Sequence, residues 1–412
     1  MKILWLSHLI PYPPKGGVLQ RSYYLLKEVA RYHDVDLLAF NQKKLFCQFF
    51  ESLESGLDES HKVLSKICHQ LAFFNIESDR HTFGPHVLAL KSFFLEPYNI
   101  NWLKSKEYSL LMKEWIDKTE YDLIHFDTIS LIPFFNLVPS SVATSLDHHN
   151  IESHMLKRRA RKEKNIIKKF YYWQEGVRLG QYERQYCPQF SINITCSDLD
   201  SDRLQQLAPE AKVFAIPNCV DTDFFNPTGR PIEPNSIIFV GSMSWYPNIE
   251  AVLYIAEKIW PRLQQMHQDL QIHIIGANPP ESIRALANMH AGFHVHGFVD
   301  DIRPFMASAT VYLCPIQDGG GTKLKILDAM AMGKAVVAHP VACEGINVEH
   351  DVNVLLADSP TMFIKYVDLL IRNYEKRATL EAQARKLIES EYNVKIIGKK
   401  LSNSFEDCVS KN

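Results

Sequence analysis

Short apolar runs rich in branched side chains alternate along the whole chain with longer stretches of helical period. In the first half the runs are KILWLS, DVDLLAF, YDLIHFD, SVATSLD and SINITCS. A second series reads SIIFVGS, QIHIIGA, GFHVHGF, TVYLCP, KAVVAHP and VNVLLAD. Each run has strand length, and the segments between them are helical, as in VLQRSYYLLKEVARYH after Gly16-Gly17. Such alternation predicts parallel sheets joined by crossover helices. Between the two series lies AIPNCVDTDFFNPTGRPIEPNS, dense in Pro, Asn and Asp, which reads as an interdomain linker. The fold class is therefore α/β, with two doubly wound, Rossmann-like domains divided at about residue 216. Ligands of such sheets bind beyond the carboxyl ends of the strands, so the loops leaving strands carry the chemistry. With two domains expected to face each other, the cleft between them is the prime site.

Composition narrows the class without changing it. The chain has 412 residues, enough for two cores, and it is 46% hydrophobic with a formal net charge of −2. A near-neutral chain has no excess of cations with which to bind a nucleic acid. The eight cysteines are scattered singly with no metal-ligand spacing, the usage of reduced thiols in a cytosolic protein. MKILWLSHLIPYPPKGG has one lysine and a short apolar run before polar residues and prolines, and reads as a first strand rather than a signal peptide. No window has the length of a membrane-spanning helix, so the expected location is cytoplasmic, or at most on a membrane surface.

The densest candidate chemistry is QDGGGTKLKILDAMAMGKAVV, residues 317–337. Gly319, Gly320 and Gly321 follow a strand and open a helix, where free N–H groups and the positive end of the dipole suit an anion. At about 3.6 residues per turn, Gly321, Lys325 and Asp328 share one face, beside a stripe of Leu324, Leu327 and Ala331. Lys325 would add a cation, and Asp328 an acceptor for sugar hydroxyls. Lys323 points away from that face, in a first turn where geometry is loose. The competing reading is an ordinary glycine turn with an intrahelical Lys325–Asp328 pair. The loop has no GK[ST] and is not a Walker A motif. In the first half, Gly16 and Gly17 open a helix carrying Arg21, a second candidate anion site. SVATSLD runs into Asp147-His148-His149-Asn150-Ile151-Glu152, which puts a histidine beyond a strand end, suited to bonding a polar ligand. Adjacent histidines cannot both point the same way, and no third metal ligand is evident from spacing, so no metal site is expected. Residues 157–173 hold a run of Lys and Arg followed by FYYW. The choice there lies between a solvated helix whose aromatics pack inward, which the spread of charges favours, and a peripheral contact with an anionic membrane.

Taken in order, these pieces resemble the family-4 glycosyltransferases of GT-B fold, over nearly the whole chain. The resemblance rests on PYPPKGG…R, DHHNIE, YERQY…SINITCSDLDSDRL, VFAIPNCVDTDFF, IIFVGSMSWYPNIEAV and GGGTKLKILDAMAMGKAVV. It is similar to the branch that serves bacterial surface polysaccharides. It implies an acceptor-side domain over residues 1–215, a donor domain over 216–392, and a last helix, about 393–412, crossing back to the first. It also implies a retaining, metal-independent transfer of a hexose from a nucleoside diphosphate sugar to a hydroxyl of a lipid-linked glycan, with no cofactor. By this resemblance Asp328 holds the nucleotide ribose and His149 approaches the transferred sugar. Backbone near Gly16, Gly17, Gly320, Gly321 and Thr322, with Lys325 and Arg21, meets the diphosphate; Lys323 also lies in this donor-binding segment. The chain departs from the family at four positions. Gly320 stands where a carboxylate is usual, with Asp318 two residues earlier as a substitute. Ser242 and Pro247 occupy the places of an Arg and a Lys, and Cys219 that of a glycine. The alternatives are a non-catalytic nucleotide- or glycan-binding partner and a sugar-nucleotide epimerase or phosphorylase of the same fold.

Overall fold

The computed structural model describes residues 1–80, 84–94, 96–227, 229 and 231–411. Two compact units emerge, Met1–Pro217 with Ile397–Asn412, and Asn218–Ile396. The first is built on seven parallel strands: β1 (Lys2–Ser7), β2 (Asp34–Asn41), β3 (Gln70–Asn75), β4 (Leu123–Phe126), β5 (Ala143–His148), β6 (Ile192–Thr195) and β7 (Val213–Ala215). Their order is β3-β2-β1-β4-β5-β6-β7. The second holds β8 (Ser236–Val240), β9 (Gln271–Ile275), β10 (Phe293–Gly297), β11 (Val311–Cys314), β12 (Ala335–Ala338) and β13 (Leu355–Leu356), ordered β10-β9-β8-β11-β12-β13. Every recorded pairing is parallel.

Central strands covered by helices on both faces have no solvent side, which is why they read as continuous apolar runs. β12 (AVVA) and β11 (VYLC) are buried at every position. Both strand orders reverse direction once, between β1 and β4 in one unit and between β8 and β11 in the other. At such a reversal the crossover helices leave to opposite faces, and a crevice opens beyond the carboxyl ends of the two central strands. The last helix, Val394–Val409, completes the first unit. Phe405 meets the buried Trp5 ring edge-on at 6.5 Å, Ser402 Oγ lies 2.6 Å from His33 Nε2, and Gly398 leaves no room for a side chain against Glu28.

Arg21 departs from its expected role. Its helix, Gly17–Val29, follows β1 as foreseen, but the guanidinium is only 1% exposed. Nε and Nη2 reach the two oxygens of Asp147 at 3.0 and 2.9 Å, and Nη1 donates to the Ile216 carbonyl at 3.0 Å. Burial alone would raise the Asp147 carboxyl, yet the charge of Arg21 holds it below its ordinary value. The physical reason for the correction is desolvation: a buried carboxylate at the end of β5 requires a cation, and the nearest helix supplies it. Arg21→Met should therefore strand Asp147 and destabilise the first unit by about 3–5 kcal/mol, read as a lower urea midpoint with an unchanged m-value.

Candidate active site: two crevices at the strand ends

In the first unit the crevice is organised by Asp127, the residue after β4, which is 1% exposed. His8, just beyond β1, places Nδ1 2.9 Å from Oδ2 of Asp127, and His149, just beyond β5, places Nε2 3.0 Å from Oδ1. The hydroxyls of Ser7 and Ser22 donate to the same carboxylate, each at 3.1 Å. The two imidazole rings meet edge to face with centroids 5.3 Å apart. His148, by contrast, stays inside β5 and bonds Asn193 of β6 at 3.1 Å. The adjacent histidines thus serve opposite neighbours, as alternation along a strand requires.

Protonation follows from this arrangement. Burial would raise the Asp127 carboxyl, but His149 and His8 beside it hold it well below the usual range. Burial would likewise lower the His149 imidazole, and the Asp127 charge and hydrogen bond outweigh that and raise it. His125, in β4, bonds Ser145 Oγ at 2.8 Å, and burial outweighs the charges of Asp147 and Asp127 and pushes it down to about 4. Glu152, one turn beyond His149, is pushed up by burial to about 7.

No third metal ligand was evident from spacing along the chain, and the fold supplies candidates. Among the described residues, ligating atoms of His8, Asp127 and His149 lie within 4.8 Å of one another, as do those of His125, Asp127 and Asp147. The spacing hid this because β1, β4 and β5 are remote in sequence and adjacent in the sheet. In this arrangement both oxygens of Asp127 accept hydrogen bonds, Oδ1 from His149 and Oδ2 from His8.

In the second unit the crevice holds the glycine loop. The helix spans Leu324–Ala331 and begins later than the sequence suggested, so Gly319–Lys323 is loop. Gly319 and Gly321 have φ of 105° and 65°, a region that disfavours side chains. Lys323, expected to point away from the ligand face, turns beneath the loop: its Nζ donates to the carbonyls of Gly319, Gly320 and Gly321 at 2.9, 3.1 and 2.8 Å. Its ammonium therefore clasps the loop, and its part in the site is to shape that backbone. The Thr322 carbonyl accepts from Asn218 of IPNCVD at 3.4 Å, so the linker motif braces the same loop. Asp318, 2% exposed, accepts from Tyr246 at 2.8 Å.

Lys325 and Asp328, three apart on the helix, do share a face. Lys325 Nζ donates to Asn248 Oδ1 at 2.6 Å and lies 4.9 Å from the centre of the Phe239 ring. Asn248 in turn donates to the Ser242 carbonyl at 2.6 Å, tying the loop after β8 to the helix Leu324–Ala331. Burial pushes the Lys325 amine down to about 8. Gly241 makes the approach possible, because a Cβ there would stand 2.4 Å from Lys325 Nζ and 2.8 Å from Asn248. Asp328 is 6% exposed beside them. A half-buried ammonium, a helix N-terminus and glycine backbone converge at one strand-end crevice, a setting suited to a multiply charged anion.

Known proteins resemble the chain in one sequence segment and in fold. Residues 234–373 match the family model described as glycosyl transferases group 1. The chain thus carries a glycosyl transferases group 1 segment within a GT-B fold. An uncharacterised 44.6 kDa protein of the cps region of Klebsiella pneumoniae is 21% identical over 96% of this chain and 97% of its own. A phosphatidyl-myo-inositol mannosyltransferase of Mycobacterium tuberculosis is 33% identical, over 35% of this chain and 39% of its own. Among solved structures, sucrose-phosphate synthase of Thermosynechococcus elongatus superposes with a TM-score of 0.72 at 14% identity, covering 100% of both chains. HepE of Anabaena, in complex with UDP and glucose, superposes at 0.65 and 15% identity, covering 98% of this chain and 99% of its own.

The segment matched by the family model contains Ser242, Asn248, the glycine loop, Lys325 and Asp328. Sequence reasoning missed His8, Asp127, Gly241 and Asn248. His8 follows one predicted strand and Asp127 closes another, a signal that was present; Asn248 had none, since its role is a contact between helices remote in sequence. Asp127→Asn should lower the His149 pKa below that of an ordinary histidine, because burial remains while the carboxylate charge is lost. A histidine NMR titration measures this, and an unmoved His149 resonance would separate the two side chains.

Proposed function

We propose that this glycosyltransferase moves a hexose from a nucleoside diphosphate sugar to a hydroxyl of a lipid-linked glycan during surface polysaccharide synthesis, with retention of configuration and without a metal. The observation that carries the reading is the second-unit crevice, where Lys325, Asn248 and the Gly319–Gly321 loop lie inside the segment matched by the glycosyl transferase model. Support for the donor class comes from a fold relative in complex with UDP and glucose, and for the pathway class from a full-length relative in a cps region.

In this reading the diphosphate lies over the glycine loop and the N-terminus of Leu324–Ala331. As the sugar departs, negative charge grows on the leaving phosphate, and Lys325 with the loop amides stabilises it. Asp328 accepts hydrogen bonds from the ribose. His149, positioned by Asp127, is given the contact with the transferred sugar that the family resemblance implies. No carboxylate is assigned as a protein nucleophile; the acceptor hydroxyl attacks on the face of the leaving group as the bond to the diphosphate breaks, and passes its proton to the departing phosphate oxygen. Asp318 takes the place of the carboxylate absent at Gly320. A non-catalytic nucleotide-binding role is favoured by one set of facts, the Gly320, Ser242 and Pro247 departures; donor binding without turnover would select it.

A thermal-shift and calorimetry panel of UDP-, GDP- and ADP-sugars, followed by mass spectrometry with glycan acceptors, tests the reading. Asp328→Ala should abolish donor binding; unchanged affinity would remove its ribose role. Lys325→Met should slow transfer at least about tenfold, the loss expected of a charge-assisted contact worth roughly 1.5–3 kcal/mol. Gly241→Ala should reproduce much of that loss, because the added methyl displaces the Lys325 ammonium and Asn248.

The pH dependence has a definite sign. Only protonated Lys325 attracts the diphosphate, so donor affinity is greatest below its free pKa of about 8 and falls as pH rises through it. The bound anion raises that pKa, and affinity then drops by up to about tenfold per pH unit until the bound value is reached. In Lys325→Met that alkaline decline should vanish from the calorimetric Kd profile.

A further inference from the structure

Six strongly exposed apolar side chains of the first unit gather on two helices fastened to each other, while Leu110 stands apart on the helix Lys106–Lys118. Leu90 and Phe94 project from the helix Gly84–Phe94, and Ile166, Ile167, Phe170 and Trp173 from the start of the helix Ile166–Tyr186. Ile166 and Ile167 are 81% and 80% exposed, Phe94 77%. Arg178 pins the two elements, its Nη1 donating to the carbonyls of Ser92 and Phe93 at 2.7 and 3.2 Å, and the Phe93 and Phe170 rings are 6.3 Å apart. Ordinary soluble surfaces leave large apolar side chains singly exposed, not grouped on a fastened helix pair.

The charge around the group is one-sided. Residues 161–170, RKEKNIIKKF, carry five cations and one carboxylate, and Lys164, Lys168 and Lys169 are exposed. The backbone at the tip is also prepared for a less polar medium, because Asn165 Oδ1 accepts from the N–H groups of Ile167 and Lys168 at 3.0 and 3.1 Å. The sequence had favoured aromatics packed inward. Tyr171 and Tyr172 do turn that way in part, with Arg159 stacked on Tyr172 at 4.2 Å, whereas Phe170 and Trp173 face outward.

We propose that the Ile166–Trp173 end of this helix, together with Gly84–Phe94, docks on an anionic lipid bilayer. Aliphatic and aromatic side chains enter the headgroup boundary while the lysines pair with lipid phosphates, the arrangement of an interfacial helix. A second copy of the chain fits this face poorly, since its own lysines would meet these. Among the described residues no helix is long and apolar enough to cross a membrane, so the contact is peripheral. The inference does not depend on the transfer chemistry, because binding is read without donor or acceptor.

The test is co-sedimentation of the full chain with vesicles of phosphatidylcholine, alone or with an equal part of phosphatidylglycerol. Binding should be at least about tenfold tighter on the anionic vesicles and should weaken with salt. The combined variant Ile166→Ser, Ile167→Ser, Trp173→Ser should reduce binding at least about tenfold. The combined variant Lys164→Glu, Lys168→Glu, Lys169→Glu should reduce it about a hundredfold on anionic vesicles. Both variants should keep the wild-type melting temperature, since every altered side chain is exposed. Equal binding to both vesicle types, or folded variants that bind like wild type, overturns the proposal. So does wild type that binds neither vesicle type, and if it then forms a dimer in light scattering that the serine variant abolishes, the face is a protein contact instead.

Discussion

The constraint on which both units depend is that charge taken out of water at the ends of parallel strands must be matched by charge or donors from the next element. Asp147 has Arg21, and Asp127 has two histidines and two serine hydroxyls. Without those partners, desolvation would neutralise the carboxylates or open the crossover loops. With them, loops that would otherwise wander are held at fixed distances, and the crevices at the two strand reversals acquire defined walls. The second unit solves a related problem with backbone. Three consecutive glycine carbonyls would point at nothing in a dry crevice, and Lys323 binds all three.

This division of labour separates two lysines that the sequence sets side by side. Lys323 has its ammonium committed to the loop, and Lys325 has its ammonium half-buried beside an amide oxygen and an aromatic face. The first makes a shape; the second keeps a charge whose proton is loosened by burial, and such a charge responds strongly to an arriving anion. Gly241 and Asn248 exist in this arrangement to leave Lys325 room and to fix where it sits. With Ser242 and Pro247 after β8 carrying no charge, the second-unit crevice gathers positive potential from one half-buried amine and a helix end.

Fold class was legible because burial on both faces of a parallel sheet writes itself into the chain as unbroken apolar runs, and crossover helices as the segments between. The glycine loop, Lys325 and Asp328 were legible because they lie within a dozen residues and obey a helical period. The start of that helix was placed too early, since glycines with positive φ extended the loop to Lys323. Arg21 was misjudged because nothing local to its helix announces a carboxylate at the end of β5.

What the sequence determined by itself, then, is every property that is local: strand and helix periods, the glycine turns and the spacing of residues along one helix. Only the tertiary structure decided which strand ends become neighbours. His8, Asp127 and His149 come from three strands and over a hundred residues of chain, and they meet because β1, β4 and β5 are adjacent in the sheet. Likewise, the spread of charges favoured Phe170 and Trp173 packing inward, and only the packing of their helix showed that their face was left uncovered. The physical reason is the same in each case. Pairing between remote segments is set by the closure of the whole core, and no short window of sequence carries that information.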